Sequence, residues 1–100
     1  MDIGQVWNKI LELEGETFYT ATGLEFTYEV VSNHEIIPFR DGDPKWKLSK
    51  EVFKKALTFS TFSGKEFTNK IIGASYVAGI LNDSRLKTKW FLGLRNGAFY

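Results

Sequence analysis

Two runs of alternating residues, joined by a short turn, constrain the fold of this chain more than any other feature. In residues 16–22 and 24–31, side chains suited to a buried face alternate with side chains suited to water, as in Phe26, Tyr28 and Val30 between Glu25, Thr27 and Glu29. Because successive side chains of a strand point to opposite faces, this alternation predicts β-strands buried on one side. Thr22-Gly23 lies between the runs and predicts a tight turn, so the two strands should form an antiparallel hairpin.

A third strand is predicted over residues 34–39, after a second turn at Ser32-Asn33. The three strands together predict an antiparallel meander. We expect the exposed face of this sheet to be acidic, because Glu25 and Glu29 occupy its outward positions.

Helices are expected at the start of the chain and in its second half. Residues 2–14 carry an amphipathic stripe, with Asp2 as the expected N-cap and Gly15 at the expected C′ position: Ile3, Val6, Trp7, Ile10 and Leu11. A helix capped by Ser49 is predicted over residues 49–59, with Lys47, Lys50 and Lys54 spaced to line one edge of it. We predict further helices at residues 66–72 and 76–81, the last one capped by Ser75.

The remaining segments complete an α+β fold. Asp41-Gly42-Asp43-Pro44 predicts a loop, residues 90–94 predict a last strand, and Asn96-Gly97 predicts a turn after it. The order of elements predicts a small antiparallel sheet of three to four strands with about three helices on one face. One hundred residues, 1–100, are expected to form a single domain.

Composition narrows the class of protein. Aromatic residues make up 16% of the chain, so we expect a core built around rings. There is no cysteine, which excludes disulfides, Cys-ligated zinc and thiol catalysis. The sequence shows neither a signal peptide nor a membrane-length apolar run, so the expectation is a cytoplasmic bacterial protein without a membrane partner.

The net charge of +1 conceals a division of charge along the chain. Residues 1–39 hold one basic and seven acidic residues, whereas residues 40–100 hold twelve basic and five acidic ones. A basic segment attracts polyanions whatever the total charge, because electrostatic fields are local in physiological salt. We therefore predict a nucleic-acid-binding or DNA-associated accessory module, with phosphate contacts and a stacking residue drawn from Lys47, Lys50, Lys54, Arg85, Lys87, Lys89 and Trp46.

Enzymatic chemistry finds little support in the sequence. His34 is the only histidine and lies in a predicted turn, which leaves no zinc site and no recognisable triad. Asp41-x-Asp43 begins like a calcium loop, but Lys45 and Trp46 occupy positions that the loop reserves for a ligand and a glycine. We therefore predict a non-enzymatic protein with no catalytic residues, metal or cofactor. An unrecognised hydrolase would require Asp41, Asp43 and Glu35 to converge in a cleft.

A protein–protein interaction or self-association module is the alternative function. It predicts an exposed apolar patch around Phe91, Leu92 and Phe99. The basic half of one copy could also meet the acidic half of another in a head-to-tail arrangement.

Three segments resemble a small bacterial domain family of unknown function. They are Phe18-x-Thr20-x-x-Gly23-x-x-Phe26-x-Tyr28-x-Val30, Leu48-Ser49-Lys50-x-x-Phe53-x-x-Ala56-Leu57 and Gly73-x-Ser75-Tyr76-Val77-x-x-Ile80-Leu81-x-Asp83-x-Arg85. Ala74 departs from the pattern, which has proline before the Ser-Tyr pair. The resemblance implies a shared fold and an association with DNA-related proteins.

Overall fold

The computed structural model describes residues 2–86. Four α-helices and five β-strands lie entirely within that range. In chain order these are α1 (Ile3–Glu12), β1 (Phe18–Tyr19), β2 (Glu25–Ser32), β3 (Glu35–Arg40), β4 (Asp43–Pro44), β5 (Leu48–Ser49), α2 (Lys50–Ala56), α3 (Gly64–Lys70) and α4 (Ala74–Leu81). Residues 84–86 are helical as well. The strand predicted at residues 90–94 and the turn at Asn96-Gly97 lie outside the described residues.

The strands form one antiparallel sheet around the predicted meander. β1 pairs with β2 and β2 with β3, and β4 and β5 both pair with β3. Inward-facing residues lie opposite one another, as Phe18 does to Phe26 and Ile36 to Leu48. The predicted α+β class is therefore confirmed, with β4 and β5 as short strands that the sequence did not indicate.

The first strand is much shorter than predicted. Only Phe18 and Tyr19 pair with β2. The carbonyl of Thr17 instead accepts a hydrogen bond from the side chain of Arg85. Thr20 closes the turn before β2, since its amide donates to the carbonyl of Leu24 at 2.9 Å. The residues on either side of β1 therefore form hydrogen bonds other than ladder bonds of the β1–β2 pair.

Residues 41–44, predicted as a loop, form a two-residue hairpin turn followed by the strand β4. Asp41 and Gly42 have φ of 53° and 79°, so both lie in the left-handed region. Two central residues of this kind turn the chain with the twist that flanking strands require, and Asp-Gly is a favoured pair for it. Asp43 consequently pairs with Arg40 and belongs to β4.

Helix α1 carries the predicted cap and stripe. The carboxylate of Asp2 accepts from the amide of Gly4 at 3.0 Å, and Val6, Trp7 and Ile10 are buried. Gly15 has the left-handed φ expected of a helix-ending glycine, but it lies two residues beyond the C-cap rather than next to it.

The N-cap predicted for α2 is confirmed, whereas the N-cap predicted for α4 is wrong. Ser49 caps α2 as predicted, its Oγ accepting from the amide of Val52 at 3.3 Å. Because α2 begins at Lys50, Lys47 lies outside the helix and does not share its edge with Lys50 and Lys54. The N-cap of α4 is Gly73 and not Ser75, which lies inside the helix.

Aromatic rings dominate the core, as the composition predicted. Phe26 meets Phe18 at 5.9 Å and the edge of Tyr76 at 5.0 Å, measured between ring centres. Trp7 packs against Phe53, and its Nε1 donates to the carbonyl of Asn33 at 2.7 Å. The rings thus join the inward face of the sheet to α1, α2 and α4.

Helix α4 approaches the sheet so closely that it requires glycine at residue 79. A Cβ placed on Gly79 would lie 2.6 Å from the carbonyl oxygen of Tyr19 and 3.0 Å from the ring of Phe26. Real Cβ atoms do not make contacts this short with backbone, so either the helix or β1 would have to move.

Replacing Gly79 with alanine should therefore destabilise the fold. Overpacking of a core costs about 1–3 kcal/mol, which exceeds the gain of about 1 kcal/mol from the helix propensity of alanine. Gly4→Ala is the matched control, because its Cβ would meet only the flexible side chain of Asp2 at 3.3 Å. Urea unfolding followed by circular dichroism should give a lower midpoint for Gly79→Ala and an unchanged or higher one for Gly4→Ala. Equal midpoints would contradict the close approach.

Candidate functional site

Unpaired positive charge in the described residues is concentrated in the middle of the chain. Of the Lys and Arg residues in the range 2–86, three form ion pairs: Lys9 with Glu12, Lys70 with Glu66, and Arg85 with Asp83 and Glu16. The others form no ion pair with any residue of that range, and all of them lie between positions 40 and 65: Arg40, Lys45, Lys47, Lys50, Lys54, Lys55 and Lys65.

Arg85, one of the predicted phosphate contacts, is bound by its own chain. Its Nε and Nη2 donate to the two carboxylate oxygens of Asp83 at 2.8 and 3.0 Å. Nη2 also donates to the carbonyl of Thr17 at 2.6 Å, and Nη1 lies 3.4 Å from Glu16. The guanidinium carbon is 4.3 Å from the centre of the Phe18 ring. A phosphate would have to compete with these partners for the guanidinium, which makes Arg85 the weakest of the predicted phosphate contacts in residues 2–86.

The same contacts shift the ionisation of the pair. Hydrogen bonds from the Arg85 side chain lower the pKa of Asp83 from its ordinary value of 3.8, although partial burial opposes the shift. The Asp83 carboxylate in turn raises the pKa of Arg85. Tyr28 lies in the core, where burial raises the pKa of its hydroxyl well above the usual range. That hydroxyl donates to the carbonyl of Ile10 in α1.

The predicted lysines occupy two different elements. Lys50 and Lys54 are one turn apart on α2, so they share one face of the helix. Lys47 lies in the extended segment before β5 and is exposed. The amide of Lys50 donates to the carbonyl of His34 at 2.7 Å, which fixes the start of α2 beside the end of the sheet. Lys87 and Lys89 lie outside the described residues.

Trp46 is exposed, although the size of a tryptophan favours burial. Its side chain is 52% exposed, whereas that of Trp7 is 2% exposed. The ring of Trp46 meets the ring of Tyr76 edge-on, with centres 6.2 Å apart. A Cβ on Gly73 would lie 2.9 Å from Trp46 Nε1 and 2.6 Å from Leu48. The glycine therefore lets the indole lie directly against the start of α4.

Trp46 forms one wall of a cleft of about 320 Å³ between the sheet and α4. The other walls come from the turn before β2, the end of β3, and the segment from α3 to the start of α4. The lining residues include Thr22, Leu24, Arg40, Ser75 and Tyr76. The cleft thus combines two aromatic rings, one unpaired guanidinium and several hydroxyl groups.

The polar groups of the cleft differ in how far they are already hydrogen-bonded. The Thr20 Oγ1 atom lies 3.1 Å from Thr22 Oγ1 and accepts from the amide of Leu24 at 3.0 Å, so this turn is internally bonded. Ser75 is exposed, and neither its hydroxyl nor the guanidinium of Arg40 forms a hydrogen bond with another side chain in residues 2–86. Ser75 and Arg40 can therefore hydrogen-bond a bound molecule.

The carboxylates proposed for a hydrolase do not converge. Asp41 and Asp43 lie at the hairpin end of β3, whereas Glu35 begins that strand. The strand has six residues, so its two ends are roughly 16 Å apart. A second groove, of about 630 Å³, lies on the acidic outer face of the sheet between Glu25, Glu29 and Phe39. In residues 2–86 no three His, Asp or Glu side chains form a group that could hold a metal ion.

The residues predicted from the sequence include Trp46 but not the residues that form a cleft with it. Arg40 was absent from the predicted set because it lies in the strand before Asp41-Gly42, away from the lysine runs. Recognition of Asp41-Gly42 as a hairpin turn would have placed Arg40 at a sheet end. Trp46 contacts Gly73 and Tyr76, which are far from it in the chain. A pattern within a few residues cannot predict such a contact.

The bond between Asp83 and Arg85 predicts an acid-dependent loss of stability. Since the pKa of Asp83 is lowered by folding, its contribution is present above about pH 4 and disappears as the pH falls through the lowered pKa. Asp83→Asn should unfold more easily by about 1–3 kcal/mol at pH 7, with the difference from the wild type shrinking towards pH 2.

Urea unfolding between pH 2 and pH 7 measures this difference. Glu66→Gln serves as the control, because the pair of Glu66 with Lys70 is exposed and should contribute less than about 0.5 kcal/mol at any pH. A deficit in Asp83→Asn that stays constant over the whole pH range would contradict a role for the charged carboxylate.

Comparison with protein-family models, with curated proteins and with solved structures finds no significant match to this chain. The resemblance to a bacterial domain family of unknown function therefore stays a prediction. No helix in residues 2–86 has both the length and the apolar character needed to cross a lipid bilayer.

Proposed function

We propose that this protein is a non-enzymatic nucleic-acid-binding module that works through the segment around Trp46. The observation that carries the proposal is the coincidence of an exposed tryptophan with unpaired cations. Trp46 lies between Lys45 and Lys47 in the chain and shares its cleft with Arg40. Aromatic rings among basic side chains are typical of surfaces that bind nucleic acids, because bases stack on rings while cations contact phosphates.

The proposed phosphate contacts follow from the pairing of charges. Lys47, Lys50 and Lys54 remain candidates from the sequence, and Arg40 and Lys45 join them because they too lack an ion pair in residues 2–86. An unpaired surface cation can bind a phosphate without first breaking a bond to its own chain. Arg85 would have to give up its bonds to Asp83 and Thr17, so we exclude it.

A protein-binding role is the second candidate. Leu24 and Ile72 are 44% and 66% exposed, and Leu24 lines the same cleft as Trp46. Exposed apolar side chains that cluster are typical of surfaces that bind other proteins or a second copy of the chain. The patch predicted at Phe91, Leu92 and Phe99 lies outside the described residues.

Salt dependence distinguishes the two candidates. Each phosphate contact should contribute about −0.9 to the slope of log K against log salt on duplex DNA, and about −0.7 on single strands. Fluorescence anisotropy with labelled duplex DNA, single-stranded DNA and RNA, from 50 to 200 mM salt, should therefore show a steep loss of affinity. No binding of any probe at 50 mM salt and micromolar protein would overturn the proposal in favour of a protein partner.

Lys54→Glu tests whether the lysines on α2 take part. We expect binding about 5- to 30-fold weaker at 50 mM salt and a slope smaller in magnitude by about one. Lys9→Glu changes the net charge by the same amount on α1, where Lys9 pairs only with Glu12 in the described residues. The control should bind almost as tightly as the wild type. Equal losses for both variants would indicate a response to total charge rather than to a defined surface.

A further inference from the structure

We propose that the cleft beside Trp46 receives one unstacked base, so that the module binds single-stranded nucleic acid in preference to duplex. This inference rests on the proposed nucleic-acid function and adds the class of substrate to it. It depends on three features of the cleft: the fixed position of Trp46, the size of the space beside it, and the polar groups that surround that space.

Trp46 is held in place by the backbone on both sides. The amide of Lys45 donates to the carbonyl of Pro38 at 2.8 Å, and Leu48 pairs with Ile36 in the sheet. The indole then has one edge against Gly73 and contacts Tyr76, while about half of its surface stays open to solvent. A ring fixed in this way loses little conformational freedom when a base stacks on it, which favours binding.

The size of the cleft suits one nucleotide unit. Its volume of about 320 Å³ lies near the lower end of the roughly 300–1,000 Å³ typical of ligand pockets. A single planar base could lie in this space against Trp46. The walls contributed by Thr22, Leu24 and Tyr76 would limit its position on the remaining sides.

Polar groups in the cleft match the needs of a nucleotide. Ser75 carries a hydroxyl that can donate to or accept from the edge of a base. Arg40 carries a guanidinium without an ion pair in residues 2–86, and it can bind a phosphate with two parallel hydrogen bonds. One nucleotide could therefore contact Trp46 through its base and Arg40 through its phosphate.

Duplex DNA cannot offer a base face to Trp46 without local disruption. Bases in a duplex are stacked on their neighbours, and extruding one costs a few kcal/mol. A single strand bends freely and presents unstacked bases without this cost. The phosphate contacts proposed for Lys47 and Lys54 are possible with both forms, so the preference for single strands should come from Trp46 alone.

An abasic oligomer has the phosphates of a normal strand but no bases, so comparing the two distinguishes base stacking from phosphate contacts. We would measure the binding of a 12-nucleotide thymidine oligomer, of an abasic deoxyribose-phosphate oligomer of equal length, and of a 12-base-pair duplex. Stacking of one base is worth about 1–3 kcal/mol, so the wild type should bind the thymidine oligomer roughly 5- to 150-fold more tightly than the abasic one. The duplex should also bind more weakly than the thymidine oligomer.

Trp46→Leu should remove this preference while it leaves the salt dependence intact. Its affinity for the thymidine oligomer should fall to that for the abasic oligomer, with an unchanged salt slope because no phosphate contact is lost. Trp46→Phe should retain part of the preference, since phenylalanine can still stack. Because Trp46 is half exposed, circular dichroism and urea unfolding should show all variants folded.

Each outcome has a definite meaning. Equal affinity of the wild type for the thymidine and abasic oligomers, or an equal loss on both in Trp46→Leu, would overturn the stacking inference and leave the nucleic-acid function standing. Absence of binding to all three probes would overturn the proposed function itself.

Discussion

The close approach of α4 to the sheet is the constraint on which the rest of the structure depends. Two glycines make it possible: a Cβ on Gly79 would meet the backbone of Tyr19, and a Cβ on Gly73 would meet Leu48 and Trp46, all within 3.0 Å. Because the helix lies this near, the ring of Tyr76 meets Phe26 edge-on in the core and Trp46 at the surface. These two close contacts therefore connect the aromatic core with the position of the candidate site.

Arg85 uses its charge to hold two parts of the fold together, whereas other cations form no ion pair in residues 2–86. Arg85 comes from the basic half of the chain, yet it binds Glu16 and Thr17 in the acidic half and so joins the segment after α4 to the segment before β1. This contact uses a cation that sequence reasoning placed on the binding surface. The cations that form no ion pair in residues 2–86 fall between positions 40 and 65, around the hairpin at Asp41-Gly42 and the start of α2.

Local sequence patterns predicted the α+β fold class, but they could not predict contacts between residues that are distant in the chain. Alternation predicted β2, the segment after the Ser32-Asn33 turn was predicted as β3, and side-chain chemistry predicted the caps at Asp2 and Ser49. The bond of Arg85 to Thr17, just before the short β1, joins residues 68 positions apart and has no local sequence signal. The contact of Gly73 with Trp46 depends on three-dimensional packing. Of the residues that line the candidate cleft, the sequence prediction therefore contained Trp46 alone.

Exposure alone does not distinguish Trp46, because Tyr19 is 55% exposed and single apolar residues at a surface need no explanation. Position and surroundings do distinguish it. Trp46 is anchored by bonds of its chain neighbours to β3, lies against a glycine that no larger residue could replace without displacement, and lines a cleft with an unpaired arginine. These contacts give the indole a defined position at the cleft, and a ring that is already positioned loses little conformational freedom when a ligand stacks on it.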